Sequence, residues 1–493
     1  MNYISTRGNI EKLSASQAII KGLSDDGGLY VPSKFPDLRE ELKNLSTLTY
    51  CELTFFILKN FLTDFTDEEL SNCINSAYKN NFDNSEITPI KQIGNDYILE
   101  LFHGPTLAFK DIALTLMPHL LKTSIRKNNL DKEIVVLTAT SGDTGKAALE
   151  GFKDIDDVKI IVFFPENGVS PIQKLQMKTQ EGKNVFVAGI NGNFDDAQSA
   201  VKEIFSNDDF NKVLNKNSFI LSSANSINIG RLLPQVVYYF YSYFKLVNTK
   251  KIKLFDKVNF VVPTGNFGNI LAGYYAKEMG LPINKLICAS NENNVLYKFF
   301  KTGEYNKNKE LKLTTSPSMD ILVSSNLERL LFESCNRDSR LISALFKSFN
   351  ETGYYKISNL MRQNLNDFCG YYCTDEEVSE TINHVFNKYN YLIDTHTSVA
   401  CCSLNKFKSN NSNKYKNIIL STASPFKFAK DVLNSINDNN TNSQDFDIID
   451  KLAILGQVNI PKPITDLKNK KIIHDNIYDK NELKLAIQNF LEI

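Results

Sequence analysis

The sequence has no surplus of charge: 56 Lys and Arg residues are offset by 56 Asp and Glu residues in a chain of 493. Without a positive excess there is no sequence-wide attraction to nucleic acid or to an anionic membrane, so neither is expected as a partner. A long apolar run is missing too. The longest aromatic-rich stretch, 236–244, is broken by Ser242 and followed at once by Lys245, whereas a membrane span needs roughly 18 or more apolar residues. Residues 1–8 show no basic stretch leading into an apolar core, so no secretory leader is expected. Cysteine is sparse and scattered. None of the eight forms a C-x-x-C pair, the one close group is Cys369, Cys373, Cys401 and Cys402, and Cys288 sits in an apolar context. That usage fits reduced thiols in a cytoplasmic protein. Five histidines without an H-E-x-x-H pattern leave no basis for a zinc site.

What is present is ample core material. Hydrophobic residues make up 42% and charged residues 23%, which excludes global disorder. The chain alternates short Ile-, Val- and Phe-rich runs with amphipathic stretches. The runs at 133–137, 159–164, 184–188, 219–222, 258–262, 285–289 and 417–420 do not alternate polar with apolar residues, as expected of strands covered on both faces. Helical segments at 146–153, 171–179, 194–205, 230–244 and 269–279 lie between them, so the reading is α/β with parallel βαβ units. The first four strands form one lobe and the later ones a second. Residues 292–392 read as mostly helical, and 1–95 as an N-terminal attachment with helices at 15–20, 50–61 and 67–78. The Asn-rich stretches 409–414 and 434–444 read as surface loops.

Two strand-to-helix turns have the composition of anion sites, 138–145 (TATSGDTG) and 263–269 (PTGNFGN). Their glycines let backbone N–H groups approach a ligand at the positive end of a helix, although such turns also carry glycine for purely conformational reasons. A nucleoside-triphosphate P-loop is excluded, because Thr140 and Ala147 stand where glycine and a hydroxyl residue are required. The dinucleotide fingerprint G-x-G-x-x-G is absent from both turns. In the segment 101–111 (LFHGPTLAFKD), which opens a helix running to about Leu121, Lys110 directly follows Leu107, Ala108 and Phe109. An amine held against apolar surface is biased toward its neutral, nucleophilic form, whereas a snorkelling surface lysine is the plainer reading of that pattern alone.

Seven segments in order settle the comparison: 24–32 (SDDGGLYVP), 104–111 (GPTLAFKD), 140–145 (TSGDTG), 222–231 (SSANSINIGR), 263–269 (PTGNFGN), 394–397 (DTHT) and 421–428 (STASPFKF). Together they resemble the threonine synthase family, pyridoxal-phosphate enzymes of fold type II with a tryptophan synthase β-like fold. The resemblance implies two parallel-sheet lobes around a cofactor cleft, preceded by a mostly helical N-terminal segment. Its divisions are 1–95, then 96–250 with the cofactor lysine and the SGDTG loop, 251–435 with the cofactor-phosphate loop, and a tail at 436–493 packing on the core. It implies that Lys110 bonds pyridoxal 5′-phosphate and shuttles protons, and that the backbone of Gly265, Asn266, Phe267, Gly268 and Asn269 cradles the cofactor phosphate. Thr422 is implied as the partner of the pyridine nitrogen, and Ser141, Gly142, Thr144 and Gly145 as facing the substrate carboxylate and the ring oxygen. Asn225, Ser226 and Arg231 are implied as the clamp for the substrate phosphate.

The implied activity is conversion of O-phospho-L-homoserine and water to L-threonine and phosphate, in the cytoplasm and as a monomer, with no activator-binding extension. Two alternatives stay open: a phospho-lyase that releases 2-oxobutyrate from the same site, and a cofactor-binding protein without catalysis. Ser424 and Phe426 stand where family members often have His and Ala. His396 reads equally as a site residue and as a satisfied core histidine. Asp143 would be repelled by a ring phenolate, so it is expected to be protonated or turned away.

Overall fold

The computed structural model describes residues 1–140, 142–166, 169–192, 194–205, 207–412, 414–437 and 445–493. Two sheets organise the chain. The smaller runs in the order Ile477–Tyr478, Val185–Ile190, Val158–Pro165, Glu133–Ala139, Phe219–Ser222, all parallel. The larger runs Phe368–Tyr372, Ile283–Ser290, Val258–Pro263, Lys416–Ser421, Asp96–Glu100, Ile90–Ile93, parallel except for the edge hairpin of its last two strands. All seven runs marked as strands from their composition are strands. Val258–Pro263 is buried along its whole length and Ile283–Ser290 over its last five residues, which accounts for runs without alternation.

Asp96–Glu100 opens the segment assigned to the first lobe, yet it pairs with Lys416–Ser421 in the larger sheet. The chain therefore starts in the larger sheet, crosses to the smaller one for residues 133–222, and returns at Val258. At the other end, Ile477–Tyr478 adds an edge strand to the smaller sheet, and Leu483, Ile487 and Leu491 pack beneath it. The region 292–392 is not purely helical. It holds a two-stranded ribbon, Glu304–Asn306 with Tyr354–Lys356, as well as Phe368–Tyr372. The helix expected over 230–244 divides into Ile229–Leu232 and Pro234–Asn248, the second opening on a proline. The helix from Lys110 likewise divides into Lys110–Leu114 and Met117–Lys127, with Pro118 in the first turn of the second. Of the two Asn-rich stretches, Ser409 and Asn410 end the helix Thr395–Asn410 and Asn434 to Ile436 end Ala429–Ile436, while 413 and 438–444 lie outside the described residues.

The N-terminal segment is no loose attachment. Reciprocal Ser/Thr to Gln/Glu capping starts its helices at Ser14, Thr49 and Thr66. Its apolar faces share one continuous core with the larger sheet, and Tyr50 meets Tyr241 edge-on at 5.2 Å. Across the described residues no helix is long and apolar enough to cross a membrane.

Candidate active site

The five loops that carry the candidate cofactor and substrate residues leave the carboxyl ends of parallel strands, the position at which open α/β sheets bind ligands. Asp96–Glu100 leads toward Lys110, Lys416–Ser421 to Thr422, Val258–Pro263 to the 264–269 turn, Glu133–Ala139 to the 140–145 turn and Phe219–Ser222 to Arg231. Backbone bonds then stitch the lysine segment to the threonine: Phe109 N donates to Thr422 O at 2.9 Å and Ser424 N to Leu107 O at 3.0 Å. Asp111, 1% exposed, accepts from Thr106 N at 2.8 Å and so closes the turn before Lys110. Gly104 is required there, because a Cβ on it would lie 2.4 Å from Asp111 Cβ.

Lys110 begins its helix, 9% exposed, with Nζ 5.0 Å from the centre of the Phe109 ring. The snorkelling reading is thereby excluded. Burial pushes its amine down; Asp143 opposes this, while Arg231 and Lys427 push it further down. The net direction favours the neutral, nucleophilic amine.

Asp143 corrects an expectation. It is neither turned away nor protonated: it opens the helix Asp143–Phe152 facing Lys110, with Oδ2 at 3.3 Å from Nζ. Lys427 Nζ lies 2.7 Å from Oδ1, Gln173 Nε2 donates to Oδ1 at 2.8 Å, and Ser318 Oγ donates to Oδ2 at 3.1 Å. Burial drives the carboxyl upward, but Lys427 and Lys110 outweigh it and hold the group well below the usual carboxylate range. The positive end of the helix acts in the same direction. Lys427 itself is fully enclosed, and its second bond runs to Thr106 O at 2.8 Å.

The 140–145 turn is built around Thr140, whose Oγ1 accepts from Gly142 N at 3.0 Å and Gly145 N at 2.8 Å. Gly142 adopts φ 139°, and a Cβ there would strike the Gln173 side chain. Thr144 lies in the first helical turn; Ser141 lies outside the described residues. In the 264–269 turn, Phe267 takes a left-handed φ of 64°, its ring packs on Phe300 and Phe368, and the helix Gly268–Glu278 begins without a side-chain cap. Only the backbone of Phe267 is therefore free to meet a ligand. Asn269 Oδ1 accepts from Tyr238 and Tyr239, while its Nδ2 is buried without a partner among the described residues. A Cβ on Gly265 would lie 2.9 Å from Ser318 O, which brings this turn to the same Ser318 that touches Asp143.

Arg231, 5% exposed, donates Nη1 to Ala224 O at 2.8 Å and has no carboxylate in ion-pair range among the described residues. Burial brings its pKa down to about 10. A buried guanidinium with one backbone acceptor retains donors for an anion. Ser226 Oγ accepts from Asn326 Nδ2 at 3.0 Å, and Asn225 shapes the turn, its carbonyl taking Asn228 N at 3.1 Å. His396 resolves toward a satisfied core residue: Nδ1 pairs with Asp394 Oδ2 at 2.8 Å and Nε2 accepts from Ser318 N at 3.2 Å. It orients the 316–320 segment. Lys427, Ser318, Gln173 and Asn326 were not picked out from the sequence. Only Lys427 gave a signal, a lysine between two phenylalanines in a quoted motif.

The family described as "Threonine synthase N terminus" matches residues 2–78, and that described as "Pyridoxal-phosphate dependent enzyme" matches residues 88–422. Threonine synthase of Saccharomyces cerevisiae is 37% identical over 478 residues, 91% of this chain and 91% of that protein. The chain belongs to the threonine synthase family of pyridoxal-phosphate dependent enzymes. Threonine synthase-like 1 of Homo sapiens is 41% identical over 470 residues, 92% of this chain. The chain spans only 62% of that relative's length. Pyridoxal-phosphate-bound threonine synthase of Brucella melitensis superposes with a TM-score of 0.88 at 34% identity, covering 100% of both chains. The yeast threonine synthase structure gives 0.88 at 36%, covering 100% of this chain and 99% of the other. The architecture is thus fold type II, with two parallel-sheet lobes.

The residues of this threonine synthase family member fit the family cofactor. A buried amine biased to its neutral form, a glycine turn at an uncapped helix start, and the orphaned Asn269 Nδ2 match an aldehyde with a phosphate arm.

Proposed function

We propose that the protein is a threonine synthase, converting O-phospho-L-homoserine and water to L-threonine and phosphate. The observation that carries this reading is Arg231, a buried guanidinium with no carboxylate partner among the described residues, whose charge acts on Lys110. A site with a cofactor-phosphate turn and a separate cationic pocket suits a substrate that brings its own phosphate.

In this reaction phosphate departs from Cγ and the water hydroxyl arrives at Cβ, so electrons must be held between the two events. Pyridoxal phosphate, when bound, supplies that electron sink. The backbone of residues 265–269 and Asn269 Nδ2 would hold its phosphate, Thr422 would serve the ring nitrogen, and Lys110 would hold its aldehyde carbon. Lys110 Nζ, as a neutral amine beside the substrate, would take the proton from Cα and serve the proton transfers that follow. Asp143, kept ionised by Lys427, stands against the Lys110 amine and stabilises it each time it gains a proton. Thr144 and Ser141 would receive the substrate carboxylate at a helix N-terminus, while the Gly142 and Gly145 amides, engaged by Thr140 Oγ1, hold the shape of the turn. Arg231 and Ser226, with Asn225 shaping their loop, bind the substrate phosphate and stabilise its rising charge as it leaves. All of these residues come from one chain, which suits a monomer, and eight free cysteines suit a reducing cytoplasm.

The deciding experiment gives cofactor-loaded protein O-phospho-L-homoserine and scores phosphate, threonine and 2-oxobutyrate together. Equal phosphate and threonine is the expected result. Phosphate with 2-oxobutyrate and no threonine would make the protein a phospho-lyase, and no phosphate would overturn the substrate.

A further inference from the structure

Behind the two anion sites lies a second buried guanidinium, Arg329, with no solvent exposure. It stands in the first turn of the helix Leu327–Ser334 and reaches two remote parts of the chain as well as the residue preceding its own helix. Nε donates to Tyr30 O at 2.9 Å in the N-terminal segment, Nη2 to Ile227 O at 2.6 Å in the 225–231 loop, and Nη1 to Asn326 Oδ1 at 2.5 Å. Asn326, equally buried, spends its own donors on the two ligand loops. Its Nδ2 donates to Ser226 Oγ at 3.0 Å and to Asn266 O at 3.0 Å, and its backbone N donates to Asn266 O at 3.1 Å.

All three acceptors of Arg329 are neutral, and no carboxylate lies in ion-pair range of it among the described residues. A charge buried against neutral acceptors is expensive, and an apolar side chain of similar volume would fill the space at lower cost. What an apolar residue lacks is the planar fork that ties two remote backbones and the Asn326 amide at fixed angles. Neighbouring contacts reinforce the tie: Glu328 takes Arg7 Nη2 at 2.8 Å and Thr6 Oγ1 at 2.6 Å, so the same helical turn holds residues 6 and 7 of the N-terminal segment.

We infer that Arg329, acting through Asn326, is a positioning residue that fixes the spacing between the 225–231 loop and the 264–269 turn and makes the N-terminal segment part of that frame. The inference rests on the reading above, in which the first loop holds the substrate phosphate and the second the cofactor phosphate. With both phosphates anchored, the separation of the loops sets where the reacting carbons fall relative to Lys110 Nζ. Displacements of about 1 Å in such a frame cost roughly a hundredfold in rate.

The test uses holoenzyme carrying Arg329→Lys, Arg329→Ala or Asn326→Ala, with folding checked by melting and near-ultraviolet dichroism. Three quantities are read: the dissociation rate of pyridoxal phosphate, the affinity for inorganic phosphate, and the affinity of cofactor-free protein for pyridoxal, which lacks the phosphate arm. The expected result is that both phosphate sites weaken together, each by at least tenfold, while pyridoxal binding stays within twofold of the parent. Added guanidinium ion should restore part of the loss in Arg329→Ala and none in Asn326→Ala. Should Arg329→Ala not fold, Asn326→Ala still carries the test, since it leaves Arg329 in place. Folded variants with unchanged binding at both sites, or with one site weakened and the other untouched, would overturn the inference. A parent holoenzyme whose phosphate affinity is insensitive to Arg231→Ala would instead overturn the substrate reading, and the pyridoxal-phosphate release rate would still decide the role of Arg329.

Discussion

Replacing Lys427 with methionine isolates the electrostatics around Asp143. The substitution keeps the stem but removes a fully enclosed ammonium 2.7 Å from a carboxylate that is itself 3% exposed. Breaking a buried pair from one side typically costs about 3–5 kcal/mol, because the remaining charge is left uncompensated. Here the compensation is only partly lost: Lys110 stays at 3.3 Å, and Gln173 and Ser318 still donate to the carboxylate. We therefore expect the low end, about 3 kcal/mol. With an unfolding entropy near 2.1 cal/mol/K per residue, a chain of this length has roughly 1 kcal/mol per kelvin at its midpoint, so Lys427→Met should lower Tm by about 3 °C. Asp143→Asn in the same background should recover most of that drop, since the orphaned charge is gone, and a double-mutant cycle on the cofactor-free protein measures the coupling. The single variant should also lose less stability as pH falls. The folded carboxyl of the parent lies well below its unfolded value, so its contribution is present above the unfolded pKa of about 3.9 and lost as pH drops through the folded one. Without Lys427 the folded pKa moves up toward the unfolded one, so the pH-dependent part of the stability shrinks. Unchanged melting in Lys427→Met, or additive effects of the two substitutions, would refute the argument that Lys427 keeps Asp143 ionised.

Other expectations follow from the same geometry. Lys110→Ala should abolish turnover and the visible absorbance of lysine-bonded cofactor, and a borohydride-reduced peptide map placing the cofactor elsewhere would contradict the assignment. Arg231→Ala should raise KM, lower kcat and reduce kcat/KM by roughly 30- to 1,000-fold, the loss of one charge-assisted contact worth about 2–4 kcal/mol. Its cofactor content should stay normal; loss of bound cofactor would move Arg231 to the other anion site. His103, held between Asp83 at 2.6 Å and Glu100 at 2.9 Å, has its pKa raised to about 9 despite partial burial. A raised pKa gives stability that is complete below the unfolded value near 6.5 and lost as pH climbs through the folded one. Melting curves should therefore fall between pH 6.5 and 9 in the parent and flatten in His103→Gln, and equal slopes would remove His103 as the cause.

Local chemistry was readable where one side of an interaction is enough to betray it. Runs of Val, Ile and Phe without polar alternation marked the inner strands because both faces are covered by helices. The amphipathic stretches 50–61 and 67–78 coincide with the helices Tyr50–Phe61 and Asp67–Tyr78, each opened by a reciprocal cap such as Thr49 with Glu52. Glycine turns at strand ends pointed to anion sites because backbone approach requires residues without a Cβ. Lys110, Thr422 and Arg231 were found by motif, since each lies in a segment whose order and spelling are specific. Asp96–Glu100 escaped because Asp and Glu bracket a short apolar run, and its strand character comes from pairing with Lys416–Ser421, some 320 residues away. The two helix breaks escaped because an amphipathic pattern continues across Leu116 and Leu233 although the backbone does not.

What the sequence determined alone is therefore the set of parts: which segments form strands and helices, and which carry an amine, a hydroxyl or an anion-binding turn. What only the tertiary structure decided is their electrostatic state and their spacing. Asp143 on sequence grounds had to be neutral or turned away; folding brings Lys427 from 284 positions further along to within 2.7 Å and makes the charged form the stable one. His396 could have been a ligand until Asp394 and Ser318 took both of its nitrogens. Ionisation and distance depend on neighbours contributed by remote segments, and no local pattern encodes which remote segment arrives.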